Sequence, residues 1–114
     1  MNILELNNLE QHLADHSDDK TLILLSSEGC HHCDEFETYL ESIMEYVEGI
    51  TMYRVNVTPE TMPIFGPPVI PSIVGFEQSQ RVLEGAGFPE EDTSVVLNLL
   101  TQWVNDEGFQ YSAG

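Results

Sequence analysis

Apolar positions follow two different periods along this chain, and the switches between them mark its elements. Ile3, Leu4 and Leu6 predict a short first strand. Asn7 or Asn8 is suited to cap a helix running to about His16, with Leu6, Leu9 and Leu13 along one face. Ser17-Asp18-Asp19 is turn-like, and the run Thr21 to Ser26 is short and apolar, as in a strand buried on both faces. From Asp34 to Glu48 the spacing becomes helical. Phe36, Leu40, Ile43 and Val47 recur on one face, Tyr39 and Met44 flank them, and Asp34, Glu37, Glu41, Glu45 and Glu48 occupy the other. Like charges at these intervals disfavour a helix by roughly 0.2–0.5 kcal/mol per pair, so burial of the apolar face must outweigh them. Gly49 is the expected stop.

Ile50 to Val57 alternates and is β-branched, which predicts a strand. Five of the six prolines then fall between Pro59 and Pro71. Thr58 and Pro59 could open a short helix that Pro63 limits, and Pro67-Pro68-Val69-Ile70-Pro71 reads as rigid and extended. Ser72 to Glu77 and Arg81 to Glu84 flank Gln78-Ser79-Gln80 as an antiparallel hairpin, ended by Gly85 and Gly87. Pro89 is expected to open the last helix, with Glu90, Glu91 and Asp92 at its positive end and Val96, Leu99, Leu100, Trp103 and Val104 on its apolar face. Gly108 closes it. Phe36, Tyr53, Phe65, Phe76 and Trp103 are candidate core residues. The order β-α-β-α-β-(short α)-β-β-α predicts an α/β fold, a central mixed sheet flanked by helices on both faces. One domain is expected over residues 1–109, with a loose tail over 110–114.

Composition narrows the function classes. The chain has 114 residues, 41% of them hydrophobic, enough for one core and too many for disorder. Twenty acidic residues face only Lys20, Arg54 and Arg81, for a net charge of −17. Binding to nucleic acid or to an anionic membrane is therefore disfavoured. The acidity reads first as a solubilising surface; a cationic partner, a high-salt habitat or mimicry of nucleic acid are the sharper readings. The amino terminus shows no basic segment followed by an apolar run, so no signal peptide or membrane span is expected and the cytoplasm is the expected compartment.

Chemistry concentrates in Ser26-Ser27-Glu28-Gly29-Cys30-His31-His32-Cys33, between a predicted strand and a predicted helix. Both cysteines of the chain are here, too few for a disulfide-stapled scaffold and spaced as a redox or metal motif. Cys30 lies near a helix N-terminus, where unpaired N–H groups and the helix dipole favour thiolate, while Glu28, Asp34, Glu35 and Glu37 oppose it. Thiols one helical turn apart can also close a disulfide between themselves. Metal binding is the rival chemistry, since Cys30, His31, His32 and Cys33 are all ligand types. Four consecutive ligands rarely close one tetrahedron, and His12 and His16 read as a solvated helix face; two chains sharing a metal or an iron–sulfur cluster remain the metal alternative.

With the cysteine motif after a strand, Ile70-Pro71-Ser72 before a later strand, and the Arg81–Gly87 strand followed by a C-terminal helix, the chain resembles the thioredoxin-like family over nearly its whole length. The resemblance implies a thioredoxin-like fold, an exposed nucleophile in Cys30 and a buried resolving thiol in Cys33. It further implies a cis peptide at Pro71 that projects the Ile70 backbone toward substrate, which would add as an extended strand. The motif also departs from the family. Thioredoxins usually have Trp-Cys-Gly-Pro-Cys, whereas Gly29 precedes Cys30 here and the inner pair is His31-His32. Leu24 stands where thioredoxins carry a buried acid that assists proton transfer. Glutaredoxin-like Cys-Pro-Tyr-Cys and Thr-Val-Pro are absent.

The expected activity is protein thiol–disulfide exchange without a cofactor, acting as a monomer to reduce disulfide-containing protein substrates. The resemblance implies thioredoxin reductase or glutathione as electron donor. His32 is the candidate to replace the missing acid, because imidazole is the only nearby group whose ordinary pKa suits proton shuttling near neutrality, and His31 or His32 is a candidate to stabilise reduced Cys30, with His31 the weaker of the two. A non-enzymatic acidic binding module is the alternative. The charge balance carries its own prediction: the melting temperature rises as sodium chloride increases from low to moderate concentration, because salt screens self-repulsion. A flat or falling trend would contradict it.

Overall fold

Leu22 to Leu25 offer no polar side chain to either side, and the structure gives neither side to water: all four are at most 4% exposed. The computed structural model describes residues 2–3, 20–59, 69–78, 80–86, 88 and 92–113. Within them the strands are β1 (Asn2–Ile3), β2 (Lys20–Ser26), β3 (Ile50–Asn56), β4 (Ser72–Glu77), β5 (Gln80–Ala86) and β6 (Tyr111–Ala113). The helices are α1 (His31–Met44), between β2 and β3, and α2 (Thr93–Asn105), between β5 and β6. The strands form one mixed sheet in the order β1-β3-β2-β4-β5-β6. β2 pairs in parallel with β3 and antiparallel with β4, so it is interior, and it is buried from Thr21 to Ser26.

Alternation along β2 separates two cores. Leu22 and Leu24 join Phe36, Leu40 and Ile43 of α1 and Val96, Leu100 and Trp103 of α2 on one face. Ile23 and Leu25 join Val55, Val74 and Phe76 on the other. Both described helices thus cover the same face. Two further helices expected from the sequence, Asn7 to His16 and the one opening at Thr58 and Pro59, lie largely outside the described residues, as does Phe65. Tyr39 binds the helices together, its hydroxyl donating to the Asp92 carbonyl at 3.3 Å. Trp103 is fully buried, and its indole N–H donates to Glu77, which also pairs with Lys20 at 3.0 Å.

Three boundaries differ from the sequence expectation. The first helix ends at Met44, before Gly49. The last helix begins at Thr93 rather than Pro89. Asp92 is extended and accepts from the Ser94 N–H at 3.0 Å, so the acid expected inside the first turn is its cap. The third difference is the tail, which is not loose. Tyr111–Ala113 pairs in parallel with Leu83–Gly85, Phe109 is 4% exposed against Trp103, and Ser112 donates to Glu84 at 3.0 Å. Two aromatic anchors in a short segment hold it without any strand periodicity long enough to recognise.

Gly75 explains how α2 sits so close to the sheet. A Cβ there would lie 2.8 Å from the Trp103 ring and 3.0 Å from Leu83 Cβ. Gly75→Ala is expected to destabilise the fold by about 1–3 kcal/mol through overpacking, measured by urea unfolding. An unchanged midpoint would show that Trp103 can move freely.

Candidate active site

The turn after β2 is shaped by Gly29. Its φ is +78°, in the left-handed region, and no atom lies within 4 Å of a Cβ built there. Backbone conformation rather than crowding therefore favours glycine ahead of Cys30. Cys30 is the N-cap of α1, with extended φ −87° and ψ 102°. Its N–H donates to the Ser27 carbonyl at 3.4 Å, and its own carbonyl accepts from the Asp34 N–H at 3.1 Å. Cys30 Sγ accepts from the Cys33 N–H at 3.1 Å, so the sulfur takes the place of a capping oxygen. A sulfur held there is offered an oriented donor and the positive end of the helix.

Cys30 and Cys33 form a disulfide, with Cα atoms 5.2 Å apart. The two sulfurs are not equivalent: Cys33 is fully buried, and Cys30 is partly exposed. An incoming reactant meets Cys30 first. Leu24, where the resemblance calls for an acid, is also fully buried and packs in the α1–α2 core.

His31 and His32 both face outward from the first turn of α1. The His32 side chain is 65% exposed, with Nδ1 4.0 Å from Glu35 Oε2. Among the described residues, no group of three or more His, Cys, Asp or Glu side chains is arranged to hold a metal ion. His12 and His16 lie outside the described residues.

The Ile70–Pro71 peptide is cis. Val69, Ile70 and Pro71 line a groove of about 210 Å³ together with His32, Phe36 and Phe88. Val69 is 70% exposed, an apolar side chain left at the rim. The fold thus brings His32 of the cysteine motif and the Ile70-Pro71 segment to one depression; His31 is not part of its lining.

Sequence reading missed Arg54, treated there only as one of three cations. Its register partner across the parallel β2–β3 pair is Leu24, so it points toward α1. The side chain is 12% exposed. Nη1 donates to Asp34 at 2.8 Å and to Glu37 at 3.2 Å, and Nη2 donates to the Ser27 carbonyl at 3.4 Å. Nε donates to Ser26 Oγ at 2.7 Å and Asn56 Oδ1 at 3.3 Å, while Ser26 in turn donates to Asn56 at 2.9 Å. Burial acts to lower the Arg54 pKa, but the hydrogen bonds and charges of Asp34 and Glu37 raise it further, so the guanidinium stays charged. A lone Arg at an inward position of an alternating strand was the available signal.

Unequal sulfur exposure makes a direct prediction. Limiting iodoacetamide on reduced protein labels Cys30 ahead of Cys33, read by peptide mass spectrometry; equal labelling would contradict the burial of Cys33.

No family model matches the chain, and no curated protein sequence does. Its resemblances are to solved structures. Thioredoxin f2 of Chlamydomonas reinhardtii superposes with a TM-score of 0.78 at 14% identity, covering 94% of this chain and 99% of that one. A thioredoxin of Fasciola hepatica gives 0.72 at 14% identity, covering 88% and 99%. A mutant thioredoxin of Halobacterium salinarum gives 0.69 at 17% identity, covering 100% and 93%. At these identities the likeness is one of fold. The chain has the thioredoxin fold, with its Cys30–Cys33 disulfide at the start of the helix that follows β2.

Proposed function

We propose that this protein is a cytosolic thiol–disulfide oxidoreductase that reduces disulfides in other proteins. The observation that carries this reading is the pairing of a partly exposed Cys30 sulfur, capped by the Cys33 N–H, with a fully buried Cys33. In the reduced protein the Cys30 thiolate attacks one sulfur of a substrate disulfide. A Cys30–substrate bond forms, the substrate disulfide breaks, and the departing substrate sulfur takes a proton. Cys33, deprotonated, then attacks Cys30 Sγ and releases the second substrate thiol. Two electrons have passed to the substrate and the pair is again a disulfide. Thioredoxin reductase or glutathione restores it.

The groove at Ile70 and Pro71 suits the substrate chain. Backbone groups there would pair with an extended segment, and the apolar rim at Val69 and Phe88 would take a side chain beside the substrate cysteine. His32 borders the same groove. In this reading its imidazole moves the proton that Cys33 must lose, the task for which Leu24 offers nothing. Charge adds a preference. Each Lys or Arg of the chain pairs with a carboxylate of its own: Lys20 with Glu77, Arg54 with Asp34 and Glu37, Arg81 with Glu84. A substrate with positive charge around its disulfide is therefore favoured, drawn by the chain's net charge of −17.

Insulin disulfide reduction, followed by turbidity with dithiothreitol as the electron source, tests the reading. Wild type is expected to accelerate precipitation and Cys30→Ser to abolish the acceleration. Wild type without effect under any reductant would favour a non-enzymatic binding module instead. His32→Ala is expected to change the pH–rate profile of the same assay; an unchanged profile and unchanged reduction potential would remove His32 from the mechanism.

A further inference from the structure

We propose that Arg54 is the positioning residue of the Cys30–Cys33 centre: its guanidinium grips both ends of the cysteine turn and neutralises the two carboxylates that would otherwise oppose a thiolate there. This rests on the reading of Cys30 as the attacking thiolate.

The grip follows from which atoms are shared. The Ser27 carbonyl accepts from both the Cys30 N–H and Arg54 Nη2, each at 3.4 Å. That leaves a single carbonyl between the guanidinium and the Cys30 backbone. On the far side of the motif, Asp34 follows Cys33 directly. Its N–H closes the first turn onto the Cys30 carbonyl at 3.1 Å, while its carboxylate takes Arg54 Nη1 at 2.8 Å. The third anchor is the sheet, through Ser26 and Asn56 at the ends of β2 and β3. One planar group therefore spans strand end, turn and first helical turn. Lysine, with its donors on a single nitrogen, cannot reach the three together.

Charge is the second half of the role. The charged and titratable groups around the turn, among the described residues, are Glu28 on the turn, His31, His32, Asp34, Glu35 and Glu37 on α1, and Arg54 from β3. Val69, Ile70 and Pro71 before β4 carry none. The carboxylates outnumber the one permanent cation, and that cation is directed at Asp34 and Glu37. Low exposure reduces its screening by water. With Leu24 apolar, no acid from β2 competes for it. Without Arg54, Asp34 and Glu37 would face the centre uncompensated and raise the pH at which Cys30 ionises.

The test is the pH dependence of Cys30 alkylation by iodoacetamide in reduced protein, which needs no substrate. Arg54→Met is expected to raise the midpoint by about half a unit or more. Arg54→Lys, which keeps the charge without the three-way grip, is expected to recover part of that shift, a rescue that a purely structural role would not produce. An unchanged midpoint in folded Arg54→Met overturns the proposal, as does Arg54→Lys behaving like Arg54→Met. Should Arg54→Met fail to fold by circular dichroism, Asp34→Asn/Glu37→Gln in the wild-type background replaces it. Its midpoint is expected to fall by a similar amount, and an unmoved one overturns the proposal. Wild type inactive on insulin would sink the oxidoreductase reading while leaving the alkylation result standing. An active enzyme whose midpoint ignores Arg54 would do the reverse.

Discussion

Burial of β2 on both faces is the constraint on which the rest of the structure depends. Leu22 and Leu24 lie in one core and Ile23 and Leu25 in the other, so the strand cannot slip by one residue without exchanging the two sets. Each such side chain contributes roughly 1.5–3 kcal/mol when removed from water. β3 and β4 are registered against it from either side, and α1 leaves from its end. The position of Ser26 is therefore fixed by apolar packing, and the cysteines are a single tight turn away. Precision at the sulfurs is inherited from a strand that has no chemistry of its own.

The turn sets both sulfurs on that fixed point. Gly29 supplies the left-handed backbone, Cys30 takes the cap position, and Cys33 enters the core one helical turn later. Polar groups close the arrangement: Arg54 joins Ser26, Ser27, Asp34 and Glu37 where the apolar core stops. Most of the acidic surface plays no part in this. Its effect is general, a negative field that three cations cannot offset against twenty acids.

Much of this was legible in the sequence because periodicity reports burial. β2, α1, the β4–β5 hairpin and α2 each carry a pattern that only one packing satisfies. The cysteine turn was legible too, since C-x-x-C between a strand and a helix has few physical uses. What escaped was held by isolated side chains. The tail hangs on Phe109 and Tyr111, residues with no repeat around them. The start of α2 depends on the side chain of Asp92 bonding locally, which in a run of acids looks the same as its neighbours. Arg54 matters through partners on other elements, and no linear pattern announces a contact between β3 and α1. His32 was favoured over His31 in the sequence, but its place in the lining of the groove beside Pro71 comes from the fold.

The central claim is that Cys30 and Cys33 are a working dithiol–disulfide couple rather than a structural crosslink. Equilibrating the protein in dithiothreitol or glutathione buffers of graded poise, then counting free thiols by mass after alkylation, measures this directly. The account predicts one reversible two-electron transition, with a midpoint between about −270 and −120 mV, the span of thiol–disulfide exchange proteins. A midpoint below about −300 mV, where structural disulfides lie, or a pair that fails to re-form after reduction, would contradict it.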